Sequence, residues 1–179
     1  MDTVRRIRAG DVAAFEALFH AHYVGLRDFA TALTGSTETA EEVVQDVFAR
    51  VWSGRERWEV RGGSVRGYLY GAVRNGAASR GRHRLVERRW FARFAGERGP
   101  HDAPADALST VVADETSAAV QRAIAELPER ARLAVTLRWM HGLRNAEIAE
   151  AMGISLKGVE IQITRALKTL RDRLPGHLR

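Results

Sequence analysis

Apolar residues recur at helical spacing along most of this chain, and no stretch alternates apolar with polar for more than a few residues, so the expected class is all-α. Asp11 can cap a first long helix in which Val12, Phe15, Leu18, Phe19, Leu26, Phe29 and Leu33 keep that spacing up to Thr34 and Gly35. Thr39 and Glu42 then have the spacing of a capping box. Behind it Val44, Val47, Phe48, Val51 and Trp52 form an inward stripe ending at Gly54, with Glu41, Glu42, Gln45 and Asp46 on the opposite face. A loop, GRERWEVRGG, precedes a third helix that Ser64 can cap and that runs through VRGYLYGAVRNGAASRGRHR, its glycines weakening it as an isolated helix.

From about Trp90 to Glu115 the apolar pattern lapses into FARFAGERGPHDAPADALSTVVADE, where Gly99, Pro100 and Pro104 break regularity. Helices are predicted again at 116–127, 129–141, 146–152 and 156–173, punctuated by Pro128, Gly142 and Gly153, with Pro175 as a stop. The chain therefore reads as two small helical domains, 1–90 and 116–179, joined by a flexible acidic linker over 91–115.

The last two helices have the spacing of a helix-turn-helix. Asn145 can cap the first, which carries Ile148, Ala149 and Met152; Gly153 supplies the turn, Ile154 plugs inward, and Ser155 caps the second. On that second helix Val159, Ile163, Ala166, Leu167, Leu170 and Leu174 share the buried face. Lys157, Ile161, Thr164, Arg165 and Lys168 share the outward one. An isoleucine amid basic residues suits contact with a thymine methyl better than it suits solvent. Glu160 stands at the border of the faces. It can accept from a cytosine amino group, pair with Lys157, or favour the positive end of the helix.

Charge sharpens this picture. The net charge of +6 is unevenly spread: residues 1–90 carry 15 basic and 11 acidic side chains, 91–117 carry 2 and 5, and 118–179 carry 11 and 6. Residues 55–90 hold ten Arg against Glu56, Glu59 and Glu87, whereas Glu38, Glu41, Glu42 and Asp46 crowd one short stretch. One surface suits phosphate and another suits a basic protein. Cysteine is absent, which excludes disulfides, thiolate metal sites and thiol catalysis. No apolar run has the length of a signal peptide or a membrane span, so a soluble cytoplasmic protein is expected. An enzyme is the weakest expectation: His20 and His22 lie on different helix sides, and RGGS lacks the lysine of a phosphate loop. No cofactor, metal or small-molecule substrate is expected.

LPERARLAVTLRWMHGLRNAEIAEAMGISLKGVEIQITRALKTLR resembles conserved region four of sigma factors, the bacterial initiation subunits that bind the −35 promoter element. FEALFHAHYVGLRDFATALTGSTETAEEVVQDVFARVWS, followed by VRGYLYGAVRNGAASRGRHR, resembles region two of the same family. Both halves in order, joined by a short linker, are similar to the compact extracytoplasmic-function (ECF) group.

The resemblance implies docking of region two on the β′ clamp helices of core RNA polymerase through Glu41, Glu42, Gln45, Asp46 and Arg50, with the β flap as a further contact. It places Asn75 near a pocket for a flipped −10 base, and the loop of Arg57, Trp58 and Arg61 at the base-selecting position. Arg66, Arg74, Arg80, Arg82 and Arg84 would neutralise phosphates, and Lys157, Glu160, Ile161, Thr164, Arg165 and Lys168 would face the −35 major groove. Promoter DNA and an anti-sigma factor are the other implied partners. The linker would either thread the polymerase channel or act as a tether. Three positions depart from the family pattern: Tyr68 replaces a tryptophan, Ser79 replaces an aspartate that would pair with arginines downstream, and Gly158, Val159 and Glu160 replace the common TVK. A helix-turn-helix regulator that recruits no polymerase is the first rival, and a helical adaptor that binds no nucleic acid is the second.

Overall fold

The computed structural model describes residues 2–60, 64–94 and 123–173, with side chains of the second segment as far as Arg80. Among the described residues there are helices and turns and no strand. Arg61, the 95–115 part of the linker, residues 116–122 of the next expected helix, and Leu174 and Pro175 lie outside them, as do the side chains of Arg82 and Arg84.

Helix α1 (Asp2–Arg8) turns through Gly10 into α2 (Val12–Thr34). Asp11 caps α2 as expected, its Oδ1 accepting the Ala14 N–H at 2.9 Å while Oδ2 accepts from Arg6 Nε at 2.8 Å. These bonds favour the ionised form, so the Asp11 carboxyl lies below its ordinary value. At the other end Gly35 takes φ 69° and its N–H closes onto Thr31 O at 2.8 Å.

Helix α3 (Thr37–Ser53) begins one turn earlier than the expected capping box. Its N-cap is Ser36, whose Oγ accepts the Thr39 N–H at 3.2 Å, and Thr39 itself is buried in the first turn. Capping by Ser36 leaves Thr39 and Ala40 for the core. Val44, Val47, Phe48 and Val51 of the stripe are buried, as is Val43 beside them. Phe48 meets Phe19 at 4.9 Å and Phe15 at 6.0 Å between ring centroids, and the partly buried Trp52 stacks on Phe15 at 4.9 Å.

A short 3-10 turn (Arg55–Arg57) leads toward α4 (Val65–Phe94), which continues into the first residues of the expected linker. The second half comprises α5 (Glu129–Val135), a π turn (Thr136–Met140), α6 (Asn145–Met152) and α7 (Leu156–Arg173). The wide turn, closed by His141 N–H to Thr136 O at 3.2 Å, leaves Trp139 and Met140 exposed while Leu137 is buried. Asn145 is not the cap of α6. Arg144 holds that position, and its N–H is taken by Glu147 Oε2 at 2.8 Å, while Asn145 Oδ1 is buried without a partner among the described residues.

The two halves share one core. Leu26, Phe29, Leu69 and Val73 of the first half cluster with Leu137, Leu143, Ile148, Ala151 and Val159 of the second. Fully burying each large apolar side chain contributes about 1.5–3 kcal/mol, so this common cluster is a substantial bond between them. A smaller cluster of Leu127, Ala131, Val135 and Ala166 ties α5 to α7.

Candidate nucleic-acid interfaces

Three surfaces carry the residues singled out in the sequence. The first is the outer face of α3, where Glu42, Gln45 and Asp46 are exposed and Glu41 is half-buried. Their spacing puts them on the side of α3 away from Val43, Val47 and Phe48. Arg50 continues this row, its Nε donating to Asp46 O at 3.1 Å. Arg80 reaches across from α4 and pairs with both Glu42 and Asp46, the latter at 2.6 Å.

The second surface is an open cleft of about 320 Å³ lined by Arg50, Gly54, Arg57, Trp58, Glu59 and Tyr68. It brings together the expected base-selecting loop and the aromatic that replaces the family tryptophan. Trp58 is only 5% exposed and meets Tyr68 edge-on at 5.8 Å, so it forms a wall and the more accessible Tyr68 offers the stacking face. Asn75 is exposed, and its Oδ1 accepts from Arg74 Nη2 at 2.9 Å.

The cationic side of α4 is not free, because α6 packs against it. Gly67 and Gly71, one helical turn apart, allow this approach: a Cβ on Gly67 would lie 2.7 Å from Glu150 Oε2 and 3.0 Å from Glu147 O, and one on Gly71 would lie 3.3 Å from Ala151 Cα. Polar pins close the seam. Ser64 Oγ, which accepts the Gly67 N–H at 3.1 Å as the cap of α4, donates to Glu147 Oε1 at 3.0 Å. Arg66 donates to the carbonyls of His141 and Gly142, the latter at 3.2 Å.

Glu147 is 6% exposed. Burial pushes its carboxyl up, but the Arg144 N–H, the Arg144 guanidinium and the Ser64 hydroxyl favour the charged form and hold it below the ordinary carboxylate value. His141 packs edge-on to Phe29 at 5.4 Å and near Tyr70 at 5.3 Å. Burial, with Arg66 nearby, lowers the titration of both His141 and His22. Arg74 also loses solvent in this region and feels Arg130, which lowers it from its usual value. Thus Arg66, expected on phosphate, is engaged at the seam, whereas Arg74 bonds Asn75 of its own helix.

The third surface is the outward face of α7. Gly153 makes the turn at φ 64°, and Ser155 Oγ accepts the Gly158 N–H at 3.1 Å, as expected. Lys157, Thr164, Arg165 and Lys168 are exposed, and Ile161 is 40% exposed among them. Val159 and Ala166 are buried, but Leu167, expected inward, is 44% exposed. The apolar stripe is narrower than predicted because α7 is gripped by α5 and α6 on the side of Ala166 only. Glu160 stands 3.8 Å from Lys157, an exposed pair one turn apart.

Ser64, Gly67, Gly71, His141 and Glu147 were not anticipated as site residues. Two glycines four apart on one helix were the available signal, since they clear a backbone-wide track.

Comparison with known proteins identifies the family of both halves. Residues 18–85 match the family model for sigma-70 region 2, and residues 117–170 match that for sigma-70, region 4. The ECF RNA polymerase sigma factor SigM of Mycobacterium tuberculosis is 32% identical over 175 residues, covering 95% of this chain and 81% of that protein. CnrH, solved in complex with the cytosolic domain of CnrY, superimposes with a TM-score of 0.65 at 22% identity, covering 96% of this chain and 94% of CnrH. The sigma factor RpoE of Bartonella quintana, solved with the anti-sigma factor NepR, gives 0.61 at 23% identity over 88% of this chain and 94% of RpoE. With both domain families matched in order and a relative of such coverage, the chain belongs to the ECF group of the sigma-70 family, as an alternative sigma factor for promoter-specific transcription.

Proposed function

We propose that the chain docks on core RNA polymerase through Glu41, Glu42, Gln45 and Asp46, with Arg50 at the edge of the contact, and presents α7 to the −35 major groove. The separation of an acidic face on α3 from a basic face on α7 carries this reading. A cationic clamp helix and a polyanionic duplex each find their complement on a different side of one chain. On α7, Lys157, Arg165 and Lys168 contact phosphates, while Ile161 and Thr164 reach base edges. The Glu160–Lys157 pair favours a helix-stabilising role for that carboxylate over cytosine recognition.

The cleft lined by Tyr68 and Arg57 receives an unstacked −10 base, for which Asn75, exposed on the same helix as Tyr68, is a further contact. Extruding a base costs a few kcal/mol, which stacking on Tyr68 helps to offset. Arg66 joins the phosphate contacts when its bonds to the other half are released, so polymerase docking parts the halves, while Arg74 has only Asn75 to exchange. Arg61, Arg82 and Arg84 belong to the same basic tract in sequence. The chemistry of chain synthesis belongs to the polymerase, and the protein works in the cytoplasm; no helix among the described residues is long and apolar enough to cross a membrane. The structural relatives bound to NepR and CnrY support an anti-sigma factor as a further partner.

The test is transcription from a genomic fragment library by purified core polymerase with and without the protein. New start sites that share upstream bases and disappear with Asp46→Arg are expected. Duplex binding that persists with no protein-dependent start would replace this reading with that of an ordinary helix-turn-helix regulator.

A further inference from the structure

Arg80 lies between the two surfaces on which the proposed function depends, and its present partners are those of the wrong surface for a phosphate ligand. Gly76 is the local cause. A Cβ there would lie 3.0 Å from Val43 Cγ1, a tight contact that glycine avoids where α4 approaches α3. One turn further on, the guanidinium of Arg80 divides its two ends, Nη1 to Glu42 and Nη2 to Asp46 at 2.6 Å. The two carboxylates are four residues apart on α3 and face the same way, and a planar fork suits such a pair better than an ammonium does. All three side chains keep a third or more of their surface in solvent. Exposed pairs of this kind are weak and exchangeable.

We propose that Arg80 is an internal counter-ion that couples polymerase docking to capture of the single strand, an inference that rests on the acidic face of α3 being the docking surface. In the free chain Arg80 occupies Glu42 and Asp46 and masks part of their charge. A cationic helix of the polymerase takes the carboxylates and displaces it. The freed guanidinium then adds one positive charge to the α4 tract at the moment when single-stranded DNA has to be held. By reciprocity of linked equilibria, a strand that binds Arg80 also strengthens docking.

The experiment titrates the labelled full chain with core polymerase, alone and with single-stranded oligothymidine. Arg80→Gln is expected to dock more tightly than the wild type without DNA, by about threefold, the scale of an exposed ion pair. It is also expected to lose the strengthening that oligothymidine gives the wild type. Arg80→Lys, which keeps the charge and loses the fork, should fall between; circular dichroism checks that both variants fold. Unchanged or weaker docking by Arg80→Gln overturns the coupling. If a Glu42→Gln, Asp46→Asn double variant weakens docking while Arg80→Gln leaves it unchanged, only the coupling is lost. Should the double variant dock like the wild type, the docking surface itself is misassigned and the coupling falls with it.

Discussion

The two helices proposed to face DNA, α4 and α7, differ in what the free chain does with them. On α7 the outward row from Lys157 to Lys168 is open to solvent and its local pairing is the weak one between Lys157 and Glu160. On α4 the cations among the described side chains are occupied: Arg66 by two carbonyls of the other half, Arg74 by Asn75, and Arg80 by two carboxylates. In the proposed reading, duplex recognition is available at once, whereas strand capture waits until contacts within the chain are exchanged.

The largest expected effect comes from wedging the seam. Gly67→Val should separate α4 from α6, because its side chain would meet Glu150 and the Glu147 backbone; overpacking of this kind typically costs about 1–3 kcal/mol. Small-angle scattering should show a longer molecule, and oligothymidine binding should rise about tenfold while α7-dependent duplex binding stays constant. A compact variant with unchanged oligothymidine affinity would erase the contrast between the helices.

Next comes Glu147→Ala, which removes the cap on Arg144 and the partner of Ser64, with an expected loss of about 1–3 kcal/mol in thermal or denaturant unfolding. Ser64→Ala should lose about 1 kcal/mol through the α4 cap and the same seam bond.

Acidification acts in the same direction. His22 and His141 both titrate below their ordinary value in the folded chain, so unfolded chains bind more protons between the folded and ordinary pKa. Their contribution to stability is full above about pH 6.5 and declines as the pH falls through that value toward the folded pKa. Unfolding midpoints measured from pH 7.5 to 5.5 should fall, and should fall less when His141 is replaced by Gln.

On the open helix the effects are smaller. Arg165→Ala should reduce the salt slope of duplex binding by about one. Glu160→Gln should alter helix stability by at most about 0.5 kcal/mol and leave base preference unchanged. A changed preference at one −35 position in binding selection would make Glu160 a base reader.

Local signals in the sequence carried far, because caps and turns are short-range chemistry. Asp11, Gly35, Gly153 and Ser155 end or begin helices where their side chains or their freedom at positive φ dictate. Where two local solutions competed, the core decided: Ser36 displaced Thr39 as cap, and Glu147 bonded Arg144 instead of leaving Asn145 to cap. The faces of α3 and α7 were legible from periodicity, apart from Leu167, whose burial depended on how much of α7 its neighbours cover.

The seam was not legible. Ser64 and Glu147 are 83 residues apart and Arg66 and His141 are 75 apart, and no helical period links such positions. Gly67 and Gly71 registered as weak points of a helix, although their spacing marked a contact. Trp58 was expected beside nucleic acid from its place in the loop, and only the packing of Tyr68 against it shows that it is a wall.

The glycines of α4 have a further consequence once the halves part. Each of Gly67, Gly71 and Gly76 lowers the intrinsic stability of a helix by about 1 kcal/mol relative to alanine. While α6 and α3 lie against them, packing compensates. With α6 gone, the first turns of α4 keep the backbone entropy of glycine and lose their support, so the opened segment is pliable. The close fit of the resting molecule and the adaptability of the working one thus come from the same missing methyl groups.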